Sequence, residues 1–326
     1  MKHLEPGTPN REPGTRNQEP LIPTSIDELQ QALADHNYVA ERGLAVSIFL
    51  ALRLKRPLFL EGEPGVGKTE VAKVLASVLR TSLIRLQCYE GLDVGHAVYE
   101  WNYPRQLLEI RLIEMHLRSA PAAAPQDAAR ELFTEPFLIK RPLLQAIEQT
   151  RTRPPVLLID ELDRADEEFE GYLLELLSDF QITIPELGTI RAAEPPVVVI
   201  TSNRTREVHD ALKRRCIYCW IAYPDFDKEL RIVEAKVPGA SARLAEQVTA
   251  FVQELRAVDL YKPAGVSETL DWATALVALN KAAVDAATID ETLGILLKNQ
   301  EDIEAVRGPR VEDLLARALH RGVRRG

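Results

Sequence analysis

The chain has 326 residues, enough at roughly 100–200 residues per domain for two domains with cores that need no disulfide or metal staple. Its 40 Lys and Arg against 49 Asp and Glu leave a formal net charge of −9, so electrostatic attraction to nucleic acid or anionic lipid is not built into the chain as a whole, and only a local basic groove stays open. The 46% hydrophobic and 27% charged fractions suit a globular protein, and no run approaches the ~18 apolar residues of a membrane span.

Residues 1–24 are rich in Pro and Glu and repeat Glu5-Pro6-Gly7-Thr8 as Glu12-Pro13-Gly14-Thr15. Such a stretch holds too few apolar groups to offset ordering entropy and reads as a disordered tail. It lacks the charged, apolar, small-residue order of a secretory signal, which sets the expectation of a cytoplasmic protein. Ser25 and Glu28 form a capping box before a first helix, and a second helical pattern runs from about residue 39 to 53. From Pro57 to about Tyr223, aliphatic runs alternate with helical periods, the signature of an α/β fold in which helices cover a parallel sheet.

Two stretches interrupt that alternation. Before the loop Ala120-Pro121-Ala122-Ala123-Ala124-Pro125, the aromatic residues Tyr99, Trp101 and Tyr103 alternate along one strand face, either as core or as a partner-facing insertion. In residues 181–192, Ile182, Ile184 and Ile190 flank a Leu187-Gly188-Thr189 turn as in a hairpin. Beyond Pro224 the pattern is helical throughout. Leu244, Val248, Phe251, Val252 and Leu255 share one helix face, and further helical stretches follow near residues 270–279 and 311–319.

The three cysteines make no disulfide framework. Cys216 and Cys219 have the spacing of a metal or redox pair, yet Ile217, Cys219 and Ile221 alternate with Tyr218, Trp220 and Ala222 as in a buried strand, where a thiol is a small hydrophobe. None of the six histidines stands in a metal-binding pattern, so a bound metal would be magnesium arriving with a ligand.

The chemistry is concentrated at the ends of the aliphatic strands. Gly62-Glu63-Pro64-Gly65-Val66-Gly67-Lys68-Thr69 matches G-x-x-x-x-G-K-[ST], follows Leu58-Phe59-Leu60 and opens a helix with Val71, Val74, Leu75, Val78 and Leu79 on one face. Strand, loop and helix in that order make a nucleotide-binding loop: the glycines permit close backbone approach, the helix N-terminus offers free N–H groups, Lys68 adds a point charge, and Thr69 would ligate magnesium. A second aliphatic strand, Val156-Leu157-Leu158-Ile159, ends in Asp160-Glu161. One carboxylate, Asp160, suits the metal, and Glu161 suits a general base or water-positioning group. A third strand ends in Thr201-Ser202-Asn203, whose amide can orient the same water without adding negative charge. Leu212-Lys213-Arg214-Arg215 then reads either as a solvated basic turn or as an arginine finger for a neighbouring subunit, with Arg215 and Arg214 as alternatives.

Taken together, these residues resemble an AAA+ ATPase of the MoxR family over about residues 25–310. The phosphate loop looks like Walker A, residues 156–161 like Walker B, Asn203 like sensor 1, Arg214 and Arg215 like the finger region, and residues 181–192 like the hairpin this clade places before sensor 1. Residues 97–103, 137–144 and 212–216 look in particular like the CoxD-like subgroup. The resemblance implies a P-loop NTPase αβα sandwich over residues 25–223, with insertions near 89–130 and 181–192, followed by a small all-helical lid and C-terminal tail over 224–326. It implies ATP and Mg2+ as cofactors, a binding set running from Gly62 through Glu70, and Tyr38 and Val39 packing the base, for which ordinary burial at a helix start is the alternative.

By the same resemblance the chain would be a ring-forming, often hexameric, chaperone-like remodeller. Its partner would be a von Willebrand factor A domain protein, and its client a metalloenzyme, a molybdenum hydroxylase such as carbon monoxide dehydrogenase, in maturation. It departs from the AAA+ pattern at one point: no arginine occurs between Arg256 and Arg307, and the position of the usual lid arginine reads Ser267-Glu268-Thr269. Two other classes stay open, a nucleotide-switched scaffold with little turnover and a nucleic-acid-handling AAA+ ATPase, the latter disfavoured by the net charge.

Overall fold

The computed structural model describes residues 22–119, 132–148 and 153–323. The tail up to residue 21 and the expected loop at residues 120–125 lie outside them. Two helices, α1 (Ile26–Asp35) and α2 (Arg42–Leu54), precede the first strand. Ser25 caps α1 by accepting from the Glu28 amide, but the Glu28 carboxylate reaches past Ser25 to accept from the amide and hydroxyl of Thr24. Pro23 is buried and its carbonyl accepts from Arg53, so the packed structure begins before Ser25.

The chain then builds β1 (Leu58–Gly62), α3 (Lys68–Val78), β2 (Leu83–Gln87), α4 (Val94–Ala97), β3 (Tyr99–Trp101), α5 (Tyr103–Ser119), β4 (Leu138–Lys140), α6 (Pro142–Ile147), β5 (Val156–Asp160), α7 (Glu167–Asp179), β6 (Gln181–Ile184), β7 (Gly188–Arg191), β8 (Val197–Ser202), α8 (Asp210–Arg215) and β9 (Ile217–Ile221). Five of these strands form one sheet in the order β2-β5-β8-β1-β9, every pair parallel. Strands buried on both faces read as continuous apolar runs because each face needs its own core. Leu58, Leu60, Val156, Leu158 and Val199 pack with α1, α2 and α3 on one side. Phe59, Leu157, Ile159, Val198 and Ile200 pack with α6 and α7 on the other.

The hairpin expected over residues 181–192 is present as β6 paired antiparallel to β7, but its turn is residues 185–187, and Gly188 and Thr189, expected in the turn, open β7 opposite Ile184 and Thr183. The aromatic strand is shorter than its alternation suggests. Tyr99 and Trp101 lie on β3, which pairs antiparallel to β4, whereas Tyr103 opens α5 and is exposed. Pro104 explains the switch, since proline suits the first turn of a helix and cannot continue a ladder. The strand near Cys216 also differs from expectation. β9 is a sheet edge with Tyr218 and Trp220 exposed, and Cys216 sits before it, buried in the core on one side of the sheet, while Cys219 packs against the core on the other.

Among the described residues only helices follow: α9 (Phe226–Lys236), α10 (Ala242–Arg256), α11 (Val266–Ala278), α12 (Ala286–Leu296), α13 (Gln300–Val306) and α14 (Pro309–Val323). They share a separate core centred on Phe251 and Trp272, whose rings lie 5.4 Å apart. Among its buried polar groups, Glu229 of α9 pairs with Arg256 of α10 at 2.6 Å and accepts from Thr269 of α11, tying three helices together. No helix among the described residues is long and apolar enough to cross a membrane.

Trp101 is 7% exposed and meets Phe133 edge-on at 5.3 Å, so Trp101→Ala is expected to cost about 3–5 kcal/mol in chemical denaturation. Tyr103→Ala, at an exposed position, should stay within about 0.5 kcal/mol of the parent.

Candidate functional site

Parallel strands deliver their C-terminal ends to one side of the sheet, where open α/β folds bind ligands. Here that side carries a cleft of about 490 Å³, within the usual range of small-molecule sites. Its floor is the loop after β1. Gly67, at φ +89°, caps α3 in a left-handed conformation that favours glycine, and α3 starts at Lys68. The Lys68 side chain is buried and its ammonium donates to the carbonyls of Gly62 and Glu63 at 2.8 and 2.7 Å. Burial away from water lowers its pKa to about 8, against the pull of Asp163, Glu63, Asp160 and Glu161. Pro64, Gly65, Val66, Gly67, Thr69 and Glu70 line the cleft, whereas Gly62 and Glu63 act on it through the carbonyls that hold Lys68.

Asp160, at the end of β5, is 2% exposed and fully engaged. Its Oδ1 accepts from the hydroxyls of Thr69 (3.0 Å) and Thr201 (2.6 Å), and its Oδ2 from Arg85 Nε and Nη2 at 3.0 and 2.6 Å. Glu161 follows at φ +55°, a strained conformation for a non-glycine residue. Its amide donates to Thr201 Oγ1, and its Oε2 accepts from Gln87 Nε2 at 3.0 Å and Arg164 Nη1 at 3.2 Å. Arg85 also donates to Gln87 Oε1, so one chain of hydrogen bonds runs from Asp160 through Arg85 and Gln87 to Glu161.

Asn203, just past β8, lines the same cleft. Its amide, with the amide and hydroxyl of Thr205, donates to the buried Asp163 carboxylate, which fixes the path of the chain leaving β8. Tyr38 and Val39 form part of the wall, and burial raises the Tyr38 hydroxyl above its usual range. Both lie ahead of α2, which begins at Arg42, so Val39 does not belong to the helix whose pattern was expected to start there.

The opposite wall comes from the helical region. The start of α11 rests on the phosphate loop, with the Ser267 amide donating to the Gly65 carbonyl at 3.2 Å. A side chain at Gly65 would place its Cβ 2.7 Å from the Ser267 hydroxyl and 3.2 Å from the Gly265 Cα. Two lysines of α9 reach across: Lys228 pairs with Glu41 at 2.6 Å and Lys236 with Glu70 at 2.9 Å. Burial opposes charge on Glu70, but Lys236 and Lys73 together hold its carboxyl below the ordinary range.

The arginines at the end of α8 are not brought into the cleft. Arg214 is exposed and pairs with Asp210, while Arg215 donates to the Ala211 carbonyl. Arg85, Gln87, Thr201, Asp163, Lys228 and Lys236 are the site groups the motifs did not reveal. The alternation of Arg85 and Gln87 with Ile84 and Leu86 was the available signal for the first two.

Residues 57–216 match the family model of the AAA domain, dynein-related subfamily. The fold is an AAA+ P-loop fold. Its five-stranded parallel sheet carries the helical region after it. The chain is 24% identical over 238 residues to an uncharacterized protein of Staphylococcus epidermidis, covering 71% of this chain and 79% of the relative. It is 25% identical over 233 residues to an uncharacterized protein of Staphylococcus aureus, covering 69% and 77%. Among solved structures it is similar to the Thermotoga maritima RuvB Holliday junction branch migration motor, with 17% identity, a TM-score of 0.43, and coverage of 86% of this chain and 75% of that one.

The lowered Lys68 pKa makes a pH-dependent prediction for nucleotide binding in this cleft. Triphosphate favours the charged ammonium, so above a free pKa of about 8 binding must take up a proton and affinity should fall by up to about tenfold per unit. Calorimetry of ATP binding at about pH 9, in buffers of different ionisation heat, should report that proton uptake. A flat affinity up to that pH would show that Lys68 keeps its charge.

Proposed function

We propose that the protein is an ATP-hydrolysing AAA+ machine of the MoxR family, CoxD-like subgroup, which couples turnover to conformational change in a client. The observation that carries this reading is the gathering of Lys68, Thr69, Asp160, Glu161 and Asn203 around one cleft closed by a helical wall. We assign residues 25–223 to the nucleotide-binding core and 224–326 to the lid. The hydroxyl of Thr69 and the carboxylate of Asp160, 3.0 Å apart, are hard oxygen donors of the kind magnesium takes, and they would hold Mg2+. When bound, the ion neutralises charge on the β- and γ-phosphates.

The chain's own residues supply the rest. The amides at the start of α3 and the Lys68 ammonium bind the phosphates. Glu161 accepts a proton from the attacking water, and Asn203 orients that water without competing charge. Tyr38 and Val39 pack the base, and Glu70 sits at the cleft edge beside Lys236. Arg215, or Arg214, acts on the site of a neighbouring subunit in a ring, which we take to be hexameric. We take the protein to be cytoplasmic, and the segments resembling CoxD-like proteins support a von Willebrand factor A domain partner and a role in maturing a molybdenum hydroxylase such as carbon monoxide dehydrogenase.

One observation favours the scaffold reading. Gln87 and Arg164 both hold the Glu161 carboxylate, and a base so engaged is less available to water. Client-stimulated steady-state turnover decides for the motor, and client binding governed by ATP without repeated turnover decides for the scaffold.

Lys68→Ala should abolish ATP binding by calorimetry. Glu161→Gln should keep ATP and Mg2+ binding while lowering turnover by roughly a hundredfold or more. If binding and hydrolysis vanish together in Glu161→Gln, the residue is structural.

A trans arginine makes a separate prediction. Arg215→Ala, or Arg214→Ala, should bind ATP normally yet lose hydrolysis by a factor on the order of 10³ or more. Mixing that inactive variant with inactive Lys68→Ala should restore activity, since one supplies the pocket and the other the arginine. No complementation for either arginine would rule out the shared site.

A further inference from the structure

Strand β1 carries a carboxylate where a strand covered on both faces would be apolar. Glu61 is 3% exposed and lies one residue before the phosphate loop, on the same face as Phe59. Burying such a charge is tolerated only when its oxygens are paired, and here they are. Lys213 Nζ donates to Oε1 and Oε2 at 3.2 and 3.3 Å, Tyr218 OH to Oε2 at 2.9 Å, and Ser202 Oγ approaches Oε1 at 3.4 Å. Burial, and after it the hydrogen bond to Glu61, pushes the Tyr218 hydroxyl up to about 12, so it remains a donor at neutral pH. The Lys213 ammonium also lies over the Phe59 ring, 5.7 Å from its centroid, a second contact of this side chain with β1.

These contacts join three functional ends. Gly62, next to Glu61, holds Lys68 through its carbonyl. Ser202, opposite Glu61 on β8, is next to Asn203. Lys213 is next to Arg214 and Arg215 on α8. The other end of β1 holds the same helix, because Arg56 donates to the carbonyls of Arg215, Arg214 and Cys216 at 3.0, 2.7 and 3.4 Å. The short helix α8 is thus anchored at both ends of the strand that leads into the phosphate loop.

We propose that Glu61 and Lys213 form a positioning pair that fixes the arginine-bearing helix α8 relative to the phosphate loop, so that the arginine one subunit offers its neighbour is placed by that subunit's own β1. This rests on the trans-arginine reading above. Neither residue of the pair touches the reacting atoms. The effect of losing the pair is displacement of Arg214 and Arg215, and a misplacement of about 1 Å in a catalytic group costs on the order of a hundredfold in rate.

The test uses the full-length chain. Lys213→Met should bind ATP within about twofold of the parent and keep KM nearly unchanged, while kcat falls roughly tenfold to a hundredfold. Lys213→Arg, which keeps the charge, should retain most turnover. Mixing Lys213→Met with Lys68→Ala should restore activity, because the first supplies an intact pocket and the second a correctly placed arginine. Unchanged kcat in Lys213→Met, or a loss that the mixture does not restore, overturns the proposal. If Lys213→Met melts early, Glu61→Gln, which keeps hydrogen-bonding atoms but removes the charge, must show the same kcat loss and the same complementation or the proposal fails. The two readings fail distinguishably: the trans arginine falls when Lys68→Ala complements neither Arg215→Ala nor Arg214→Ala, and the positioning pair falls alone when one of those mixtures is active and the Lys213→Met mixture is not.

Discussion

The Asp160 carboxylate sets the terms for this end of the fold. An ionised group removed from water is destabilising by several kcal/mol unless each oxygen finds a donor, and Asp160 meets that demand with groups from three other elements. Thr69 comes from α3, Thr201 from β8 and Arg85 from β2. Those partners fix the relative heights of the three strands and bring the first turn of the phosphate-loop helix against β5. The neutralising charge comes from the sheet edge, where β2 lets the Arg85 side chain remain half exposed. A guanidinium there counters the carboxylate without itself being fully desolvated.

The helical wall is held by contacts of a different kind. The Ser267 amide bonds to the Gly65 carbonyl, and Ile232, Val266 and Leu270 put apolar surface into the cleft. The two crossing ion pairs, Lys228 with Glu41 and Lys236 with Glu70, each have at least one partner open to solvent. Exposed pairs of this sort are worth about 0–1 kcal/mol. They set the position of α9 over the cleft more than they strengthen it. The close approach of Gly65 to Gly265 does the same for α11, since neither position leaves space for a side chain.

Much of this architecture was legible because its signals are local. The strands β1, β5 and β8 each open with an apolar run of three or four residues before their polar C-terminal ends, since each is covered on both faces. The phosphate loop carries its motif within eight residues, and the hairpin β6–β7 its turn within four. The edge strands were harder to read. β2 alternates Ile84 and Leu86 with Arg85 and Gln87, and β9 exposes Tyr218 and Trp220, because one side of each is wet or polar. Tyr103 continued a period-two pattern into what is a helix, and Pro104 was the residue that should have ended the strand. Partnerships such as Asp160 with Arg85 or Glu61 with Lys213 join residues distant in the chain, and no local pattern announces them.

The charge within the cleft bears on how the proposed reaction would be completed. Among the described residues that line it, the cations are Lys68, Lys73, Lys228 and Lys236, and no arginine is present. Lys228 is committed to Glu41, and Lys73 and Lys236 to Glu70. Lys68 is therefore the one lining cation not paired with a carboxylate, and it rests on backbone carbonyls that phosphate oxygens can replace as its partners. Phosphoryl transfer spreads negative charge over the γ-phosphate oxygens and is commonly helped by a second fixed cation. The start of α11 carries Ser267, Glu268 and Thr269, and what it gives the loop is the Ser267 amide on the Gly65 carbonyl, not a guanidinium. The arginines that could serve lie outside the cleft on α8, held by β1 from both of its ends. A cleft whose lining cation free of carboxylates is Lys68, with the α8 arginines outside it, is the arrangement that the proposed sharing of a site between adjoining subunits requires.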